Sequence, residues 1–331
     1  MTYINTNNDD KIAWFDFPLD IKWYITSKCN LRCKHCYLES YKDNPSLETC
    51  LSIIDFLSEN NVRNINLIGG EPLIRKDLYK IVERISSNGI TCSIATNGSL
   101  ITKDSCTKLI SAGCKNFQIS LDSDLSSIHD DIRGHGSHSL ALDAIRTINN
   151  LGGTVSICHV VNKKSFERIQ SIIKLSRDLN VKNLKITPFL PIGSGQSIKD
   201  LSLSIDQETN LKFLVDEHKK SHTTPIITGY FSRTSNCDKD CTFGCGAGTY
   251  SAIINSDFTI SACDMLTESD RTKETIENPK KLPDLWNNDP VFRKWRGLEK
   301  EASAKGIRSF HGVHKSPCFL KENQNEIIIS D

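Results

Sequence analysis

Between residue 20 and about residue 221 the chain alternates short β-rich runs with helical ones, and this alternation restricts its fold more than any other feature. Strand-like runs lie at 21–26, 63–68, 91–96, 115–121, 154–161 and 182–187. Stretches of 3.6-residue apolar period, such as DLYKIVERISS and SHSLALDAIRTINN, stand between them. Consecutive strand–helix–strand units close as right-handed crossovers, so six units predict an α/β fold with a parallel sheet backed by helices. Six is too few to close a barrel of eight, and the expectation is an open, partial (β/α)6 barrel. In such architectures ligands gather at the C-terminal ends of the strands, so the residues that follow each strand are the first candidates for function.

After the first strand comes SKCNLRCKHCYLES, which places Cys29, Cys33 and Cys36 in one short loop. A 4Fe-4S cluster that only carries electrons takes four thiolates. This loop supplies three. The next cysteine, Cys50, falls in SLETCLSIIDFLS, which reads as the first helix, so one iron would be left open to a substrate or cofactor. Structural zinc, with His35 or a distant residue as fourth ligand, is the alternative at this spacing. Gly69-Gly70-Glu71-Pro72 follows the second strand, Thr96-Asn97-Gly98 the third, and Ser120-Leu121-Asp122 ends the fourth. Singly, the first two read as ordinary turns; in this order, behind a three-cysteine loop, they point to one site.

Thirteen cysteines is a high count for 331 residues. No apolar run reaches membrane-spanning length, and the polar start MTYINTNNDDK lacks the layout of a signal peptide. A reducing cytoplasm is therefore expected, where clustered cysteines mean metal or redox chemistry before disulfides. A formal net charge of +1 gives no general attraction to nucleic acid or anionic lipid, so neither is expected as a partner.

Cys29-x3-Cys33-x2-Cys36 resembles the signature loop of the radical S-adenosylmethionine (radical SAM) superfamily, in which the amino and carboxylate groups of SAM chelate the fourth iron. His35 fits loosely where that family usually has an aromatic residue. The resemblance implies a SAM-binding 4Fe-4S cluster on the three thiolates, with Tyr37 where the family's backbone meets the adenine. It places Gly69, Gly70 and Glu71 against the methionine amino group, Asn97 among the cofactor-binding residues, and Ser120 and Arg133 at the ribose and carboxylate. Arg133 stands in HDDIRGHG, similar to the HDxxRG segment of radical SAM enzymes that modify peptides and other natural products. A bidentate guanidinium suits a carboxylate better than lysine would; a solvated surface arginine is the alternative. The implied chemistry is reductive cleavage of SAM, with an electron from a reductase such as flavodoxin or ferredoxin, to a 5'-deoxyadenosyl radical that abstracts hydrogen from the substrate.

Beyond PFLPIGSGQS and one more helix the chain carries a second cysteine group: Cys237, Cys241, Cys245, Cys263 and Cys318. The segment CGAGTYSAIINSDFTISACD reads as two short β runs joined at Asn255-Ser256-Asp257. It resembles the auxiliary-cluster extension called SPASM, or its shortened form, the twitch domain, and LPDLWNNDPVFRKWR resembles the helical stretch such extensions carry. Two departures stand out: Cys318 is alone where the full extension has four closely spaced cysteines, and Phe258 replaces the glycine usual in the turn. The resemblance implies one auxiliary 4Fe-4S cluster on Cys245, Cys263, Cys318 and either Cys241 or Cys237; zinc would suit four thiolates equally. Asp264 stands where the anaerobic sulfatase maturases place a proton-accepting acid, with an exposed hairpin aspartate as the alternative. The expected organisation is an N-terminal extension at 1–19, a radical SAM core at 20–221 and a SPASM/twitch-like domain at 222–331. Cys50, Cys92, Cys106, Cys114 and Cys158 read as small buried hydrophobes, although strand alternation requires either Cys158 or His159 to face the barrel interior.

The function expected from all this is oxidation or crosslinking of a peptide or protein substrate. The alternatives are a small-molecule enzyme acting on an amino sugar or aminocyclitol, and a non-catalytic zinc-binding interaction protein. Related peptide enzymes often carry a larger N-terminal leader-binding domain, so leader recognition is expected from another chain or from the substrate itself.

Overall fold

The structure is a computed structural model, and it describes residues 4–6, 13–38, 41, 45–220, 224–229, 246–264 and 270–296. Cys237, Cys241, Cys245 and Cys318 lie outside the described residues. The first six core strands are β3 (Asp20–Thr26), β4 (Asn64–Gly69), β5 (Thr91–Thr96), β6 (Asn116–Ser120), β7 (Thr154–Val161) and β8 (Asn183–Pro188), side by side and parallel. The crossover helices are α1 (Leu47–Glu59), α2 (Leu78–Ser87), α3 (Lys103–Ser111), the pair α4 (Ser126–Arg133) and α5 (Ser137–Asn150), and α6 (Ile169–Asp178). Side-chain caps set the helix starts: Ser46 accepts a hydrogen bond from the Thr49 amide at the start of α1, and Thr102 with Ser105 forms a capping box on α3.

The sheet runs further than the six expected units. After α7 (Ile205–Lys220) a seventh parallel strand, β9 (Ile226–Gly229), pairs with β8. At the other edge β10 (Ser251–Ile254) lies parallel to β3, and β11 (Ile260–Ser261) returns antiparallel to it. The predicted hairpin is therefore present, but it extends the core sheet and does not form a layer of its own. Among the described residues the terminal strands β11 and β9 do not pair, so the barrel stays open. The N-terminal segment adds β1 (Ile4–Thr6) and β2 (Ala13–Phe15), an antiparallel pair tied to the C-terminal part by Phe15 N–H donating to Thr249 O at 2.9 Å. Helices α8 (Leu282–Asn288) and α9 (Pro290–Trp295) fasten this corner, with Trp286 Nε1 donating to Phe15 O and Trp295 Nε1 to Ala247 O.

Phe258, in the β10–β11 turn, has φ +64°. That left-handed conformation favours glycine and costs a side chain about 1–2 kcal/mol. Phe258 is buried against the core, and burying a phenylalanine contributes about 1.5–3 kcal/mol, enough to offset the strain and keep Phe in a glycine position.

The alternation of burial along β5, β7 and β8 locates the site. On β7, Val155, Ile157, His159 and Val161 are buried, while Ser156, Cys158 and Val160 between them are half-buried. The buried set packs under the helices. Strands covered on both faces usually read as unbroken apolar runs, but here the inward set includes Lys22, Asn66, Gln118, Ser120, Cys158 and Lys185. Such an interior is a binding site rather than a second core.

Candidate active site inside the partial barrel

One cavity of about 220 Å³ opens between the strand ends and the cysteine loop. It is lined by Cys29, Cys33, Cys36 and Tyr37, by Gly69, Gly70, Asn97, Ser120 and Arg133, and by Asp264. Of the expected cofactor-site residues, Glu71 alone does not line it. Its carboxylate is fully buried: Oε1 accepts from Leu73 N–H at 3.1 Å and Thr96 Oγ1 at 2.7 Å, and Oε2 accepts from Asn97 N–H at 2.8 Å. Burial pushes this carboxyl above its ordinary value, with the three hydrogen bonds opposing. Glu71 thus ties the ends of β4 and β5 together while the glycines before it face the cavity.

Those glycines set how closely β4 can approach the cysteine loop. A Cβ on Gly69 would lie 2.2 Å from Thr26 O, and one on Gly70 would lie 2.3 Å from Lys28 O. The close approach allows Gly70 N–H to donate to Thr26 O at 2.9 Å and Glu71 N–H to Lys28 O at 2.8 Å. The stretch that leads into Cys29 is therefore held by backbone. At the far side of the loop Ser194 N–H donates to Cys36 O at 2.8 Å.

The three loop thiols are half-buried and outside any disulfide. Burial pushes Cys33 up to about 11 and raises Cys29 as well, so both are neutral at neutral pH unless a bound cation draws off the protons. They share the cavity without converging on a point: among the described residues no group of three or more His, Cys, Asp or Glu could hold one metal ion. His35 also faces the cavity, its Nε2 3.8 Å from Asp122 Oδ2, and burial lowers it to about 4, so it is neutral.

Asp122 is a residue whose role the strand pattern did not reveal. It is buried, and Arg133 grips it through Nε to Oδ2 at 2.6 Å and a second guanidinium nitrogen to Oδ1 at 3.3 Å. Oδ1 also accepts from Val160 N–H at 3.1 Å, and Asp122 N–H donates to His129 Nδ1 at 3.1 Å. Burial alone would raise this carboxyl, but the Arg133 charge outweighs it and holds Asp122 well below the usual carboxylate range. One carboxylate thus links β6, α4 and β7 and lies close to the loop histidine, and it fixes the guanidinium that faces the cavity.

A second ion pair sits at the C-terminal side. Lys22 Nζ donates to Asp264 Oδ2 at 2.8 Å. Burial pushes Asp264 up, yet the ammonium groups of Lys22 and Lys185 outweigh it and leave the carboxyl lowered. Asp264 therefore stands ionised in the cavity, beside half-buried Cys263, and is not an exposed hairpin residue. Between Cys158 and His159 the strand has chosen the thiol: Cys158 lines the cavity, and His159 is buried on the helix side with Nδ1 3.0 Å from Leu121 O.

Residues 23–175 match the family model described as the Radical SAM superfamily. The chain carries a radical SAM domain. Over 292 residues the chain is 28% identical to the mycofactocin maturase MftC of Mycobacterium tuberculosis, covering 85% of this chain and 73% of that protein. It is 27% identical over 324 residues to an AdoMet-dependent heme synthase of Methanosarcina barkeri, covering 91% of each. Among solved structures, Streptococcus suis SuiB bound to S-adenosylmethionine superposes with a TM-score of 0.74 at 18% identity, covering 94% of this chain and 75% of that one. SuiB has also been solved with its precursor peptide SuiA. At that identity the likeness is one of fold: an α/β partial barrel of the radical SAM type. No described helix is long and apolar enough to cross a membrane. The radical SAM family implies a 4Fe-4S cluster and SAM, and the cavity's donor set fits both: three thiols for the cluster, and the glycine backbone, Asn97, Ser120 and the fixed Arg133 around the space beside it.

Proposed function

We propose that this radical SAM enzyme is a maturase that takes hydrogen from a peptide or protein substrate and leaves it oxidised or crosslinked. The observation that carries the reading is that the loop thiols, the strand-end residues and the Lys22–Asp264 pair all open onto one shared cavity. When bound, the reduced cluster and SAM supply the radical that breaks an unactivated C–H bond. The chain's own residues do the rest. Arg133, aimed by Asp122, is placed to take the SAM carboxylate; Tyr37 and the apolar side chains of Leu38, Ile68, Phe189 and Ile192 exclude water from the reacting space. Asp264, ionised and next to Cys263, is placed to accept the proton that an oxidation releases. An auxiliary 4Fe-4S cluster on Cys263 with Cys245, Cys318 and Cys241 or Cys237 would take the electron, which makes the enzyme an oxidoreductase, with a flavodoxin or ferredoxin reductase supplying the first electron. MftC's name as a maturase and SuiB's structure with a precursor peptide support a peptide substrate. The heme synthase, matched along 91% of each chain, favours a second reading in which the substrate is a small molecule.

The test is anaerobic reconstitution. The protein should hold about eight iron and eight sulfide, and the triple change of Cys29, Cys33 and Cys36 to alanine should leave about four. The wild type, with dithionite and SAM, should release 5'-deoxyadenosine, and the triple variant none. A triple variant that kept all its iron would show that the loop is not a cluster site.

A further inference from the structure

The charges around the cavity do not cancel. Its cationic side chains are Lys22, Arg133 and Lys185. Each carboxylate in reach already has a close partner, since Arg133 holds Asp122 and Lys22 holds Asp264 at 2.8 Å. Lys185 is left over: among the described residues its ammonium makes no hydrogen bond and no ion pair, and its charge acts only at longer range on Asp264 and Cys158. A partly buried ammonium with three donors and no acceptor is unfavourable until an anion arrives.

Its position separates it from the cofactor end. Lys185 lies directly opposite Cys158 in the β7–β8 register, and Thr187, two residues nearer the strand end, also lines the cavity. One inward step along a strand is about 6.6 Å. Lys185 therefore stands deeper than the rim where the cysteine loop lies, on the floor with Lys22, Asn66 and Gln118. The amide of Gln118 and the hydroxyl of Thr187 offer neutral hydrogen-bonding partners around it.

We infer that Lys185 is a specificity-determining residue that binds a carboxylate of the substrate, either an acidic side chain or a chain-terminal carboxylate, at the cavity floor. The inference rests on the reading of this cavity as the substrate site. Its test uses Cys158 as a built-in reporter and requires no radical chemistry, so it can fail or succeed whether or not SAM is cleaved. The anaerobic holoprotein is alkylated with iodoacetate, which carries a carboxylate, or with neutral iodoacetamide, and Cys158 is quantified by peptide mass spectrometry. Both reagents need the same thiolate, so the ratio of their rates at Cys158 reports attraction of the carboxylate alone. Lys185→Met should lower that ratio about tenfold, the size of losing one near charge in a partly screened site, and Lys185→Arg should keep it. Equal ratios in wild type and Lys185→Met overturn the proposal.

Two arms on the unmutated protein identify the source. If saturating SAM abolishes the iodoacetate preference while iodoacetamide still reacts, Lys185 holds the cofactor's carboxylate, and the assignment to substrate is overturned. If the preference survives SAM, millimolar N-acetylglutamate α-amide is expected to protect Cys158 when the ligand is an acidic side chain, and N-acetylglycine when it is a chain terminus. Protection by neither overturns the inference.

Discussion

Replacing Asp122 with asparagine tests the link between packing and cofactor binding. The carboxylate is 1% exposed and Arg133 9%, so the change leaves a guanidinium buried without its counter-ion and turns an amide NH2 toward it. Breaking a buried pair from one side costs about 3–5 kcal/mol; the asparagine oxygen still accepts from Val160 N–H, so the cost is that of the ion pair. The urea midpoint of the anaerobic protein should fall by about 1 M or more. The double variant Asp122→Leu, Arg133→Met should recover most of this, because an apolar pair of similar volume is often as stable as the ion pair it replaces. Only the double variant should then lose SAM affinity without losing stability. The pH dependence has a definite sign. Asp122 is held low in the folded state, so its contribution is complete above its unfolded value of about 3.9 and is lost as pH falls through the lower folded value. Wild type should weaken more steeply on acidification below about pH 4 than Asp122→Asn. A single variant within about 0.5 kcal/mol of wild type, or a double variant whose losses simply add, would refute the account of Asp122 as the residue that aims Arg133.

Three further outcomes follow from the same geometry. Arg133→Ala should weaken SAM binding by about 1.5–3 kcal/mol, the scale of a hydrogen bond to a charged group, and unchanged affinity by equilibrium binding would remove Arg133 from the cofactor site. Asp264→Asn should retain iron content and 5'-deoxyadenosine release while the oxidised product disappears, since an amide cannot take up the proton at neutral pH; product at the wild-type rate would discount the carboxylate. Gly70→Ala would drive a methyl to 2.3 Å from Lys28 O, a backbone atom that cannot step aside, so the loop should reconstitute its cluster poorly, seen as loss of absorbance near 400 nm, while Gly89→Ala, strained by φ +73° but with open space around it, should lower stability and keep the absorbance.

The sequence made the barrel plain because each core strand is bounded by turn residues and followed by a strongly amphipathic helix. The run SHSLALDAIRTINN is α5 from end to end, and the six core strands begin and end within a residue of the runs read from the sequence. Strand β9 leaves little trace in the sequence because it is four residues long with only Ile227 buried. Strand β10 was recognised as a strand but not as a neighbour of β3, since a partner more than 200 residues away leaves no local trace. The loop thiols and strand-end glycines were recognisable because they sit at strand ends in a recurring order. Asp122 stands out in the sequence only as part of the strand-four end, without its role toward Arg133, and Lys185 not at all, although a signal exists for Lys185. A lysine at the centre of a strand otherwise apolar at its buried positions, as in NLKITP and in DIKWYIT, implies that the face it points to is not core. Asp122 gave no such signal, because its meaning depends on an arginine 11 positions later, carried round by α4 onto the same strand end.

The site divides its labour between backbone and side chains according to what each must tolerate. At the rim, the approach of β4 to the cysteine loop is fixed by glycine backbone at Gly69 and Gly70, and Glu71 spends both carboxylate oxygens on Leu73, Thr96 and Asn97. None of these groups is left over for a variable ligand. This suits a cofactor of constant shape, for which rigid, prepaid contacts lose the least on binding. On the floor the lining is side chains on alternate strand positions: Lys22, Asn66, Gln118, Cys158 and Lys185. Each can be exchanged without disturbing a strand, because its neighbours along the strand face the helices and carry the core. The proposed function therefore assigns substrate selection to the floor and cofactor binding to the rim. A change at Lys185 or Gln118 should alter which substrate is accepted while leaving SAM affinity intact, whereas a change at Gly70 or Asp122 should affect SAM first, whatever the substrate.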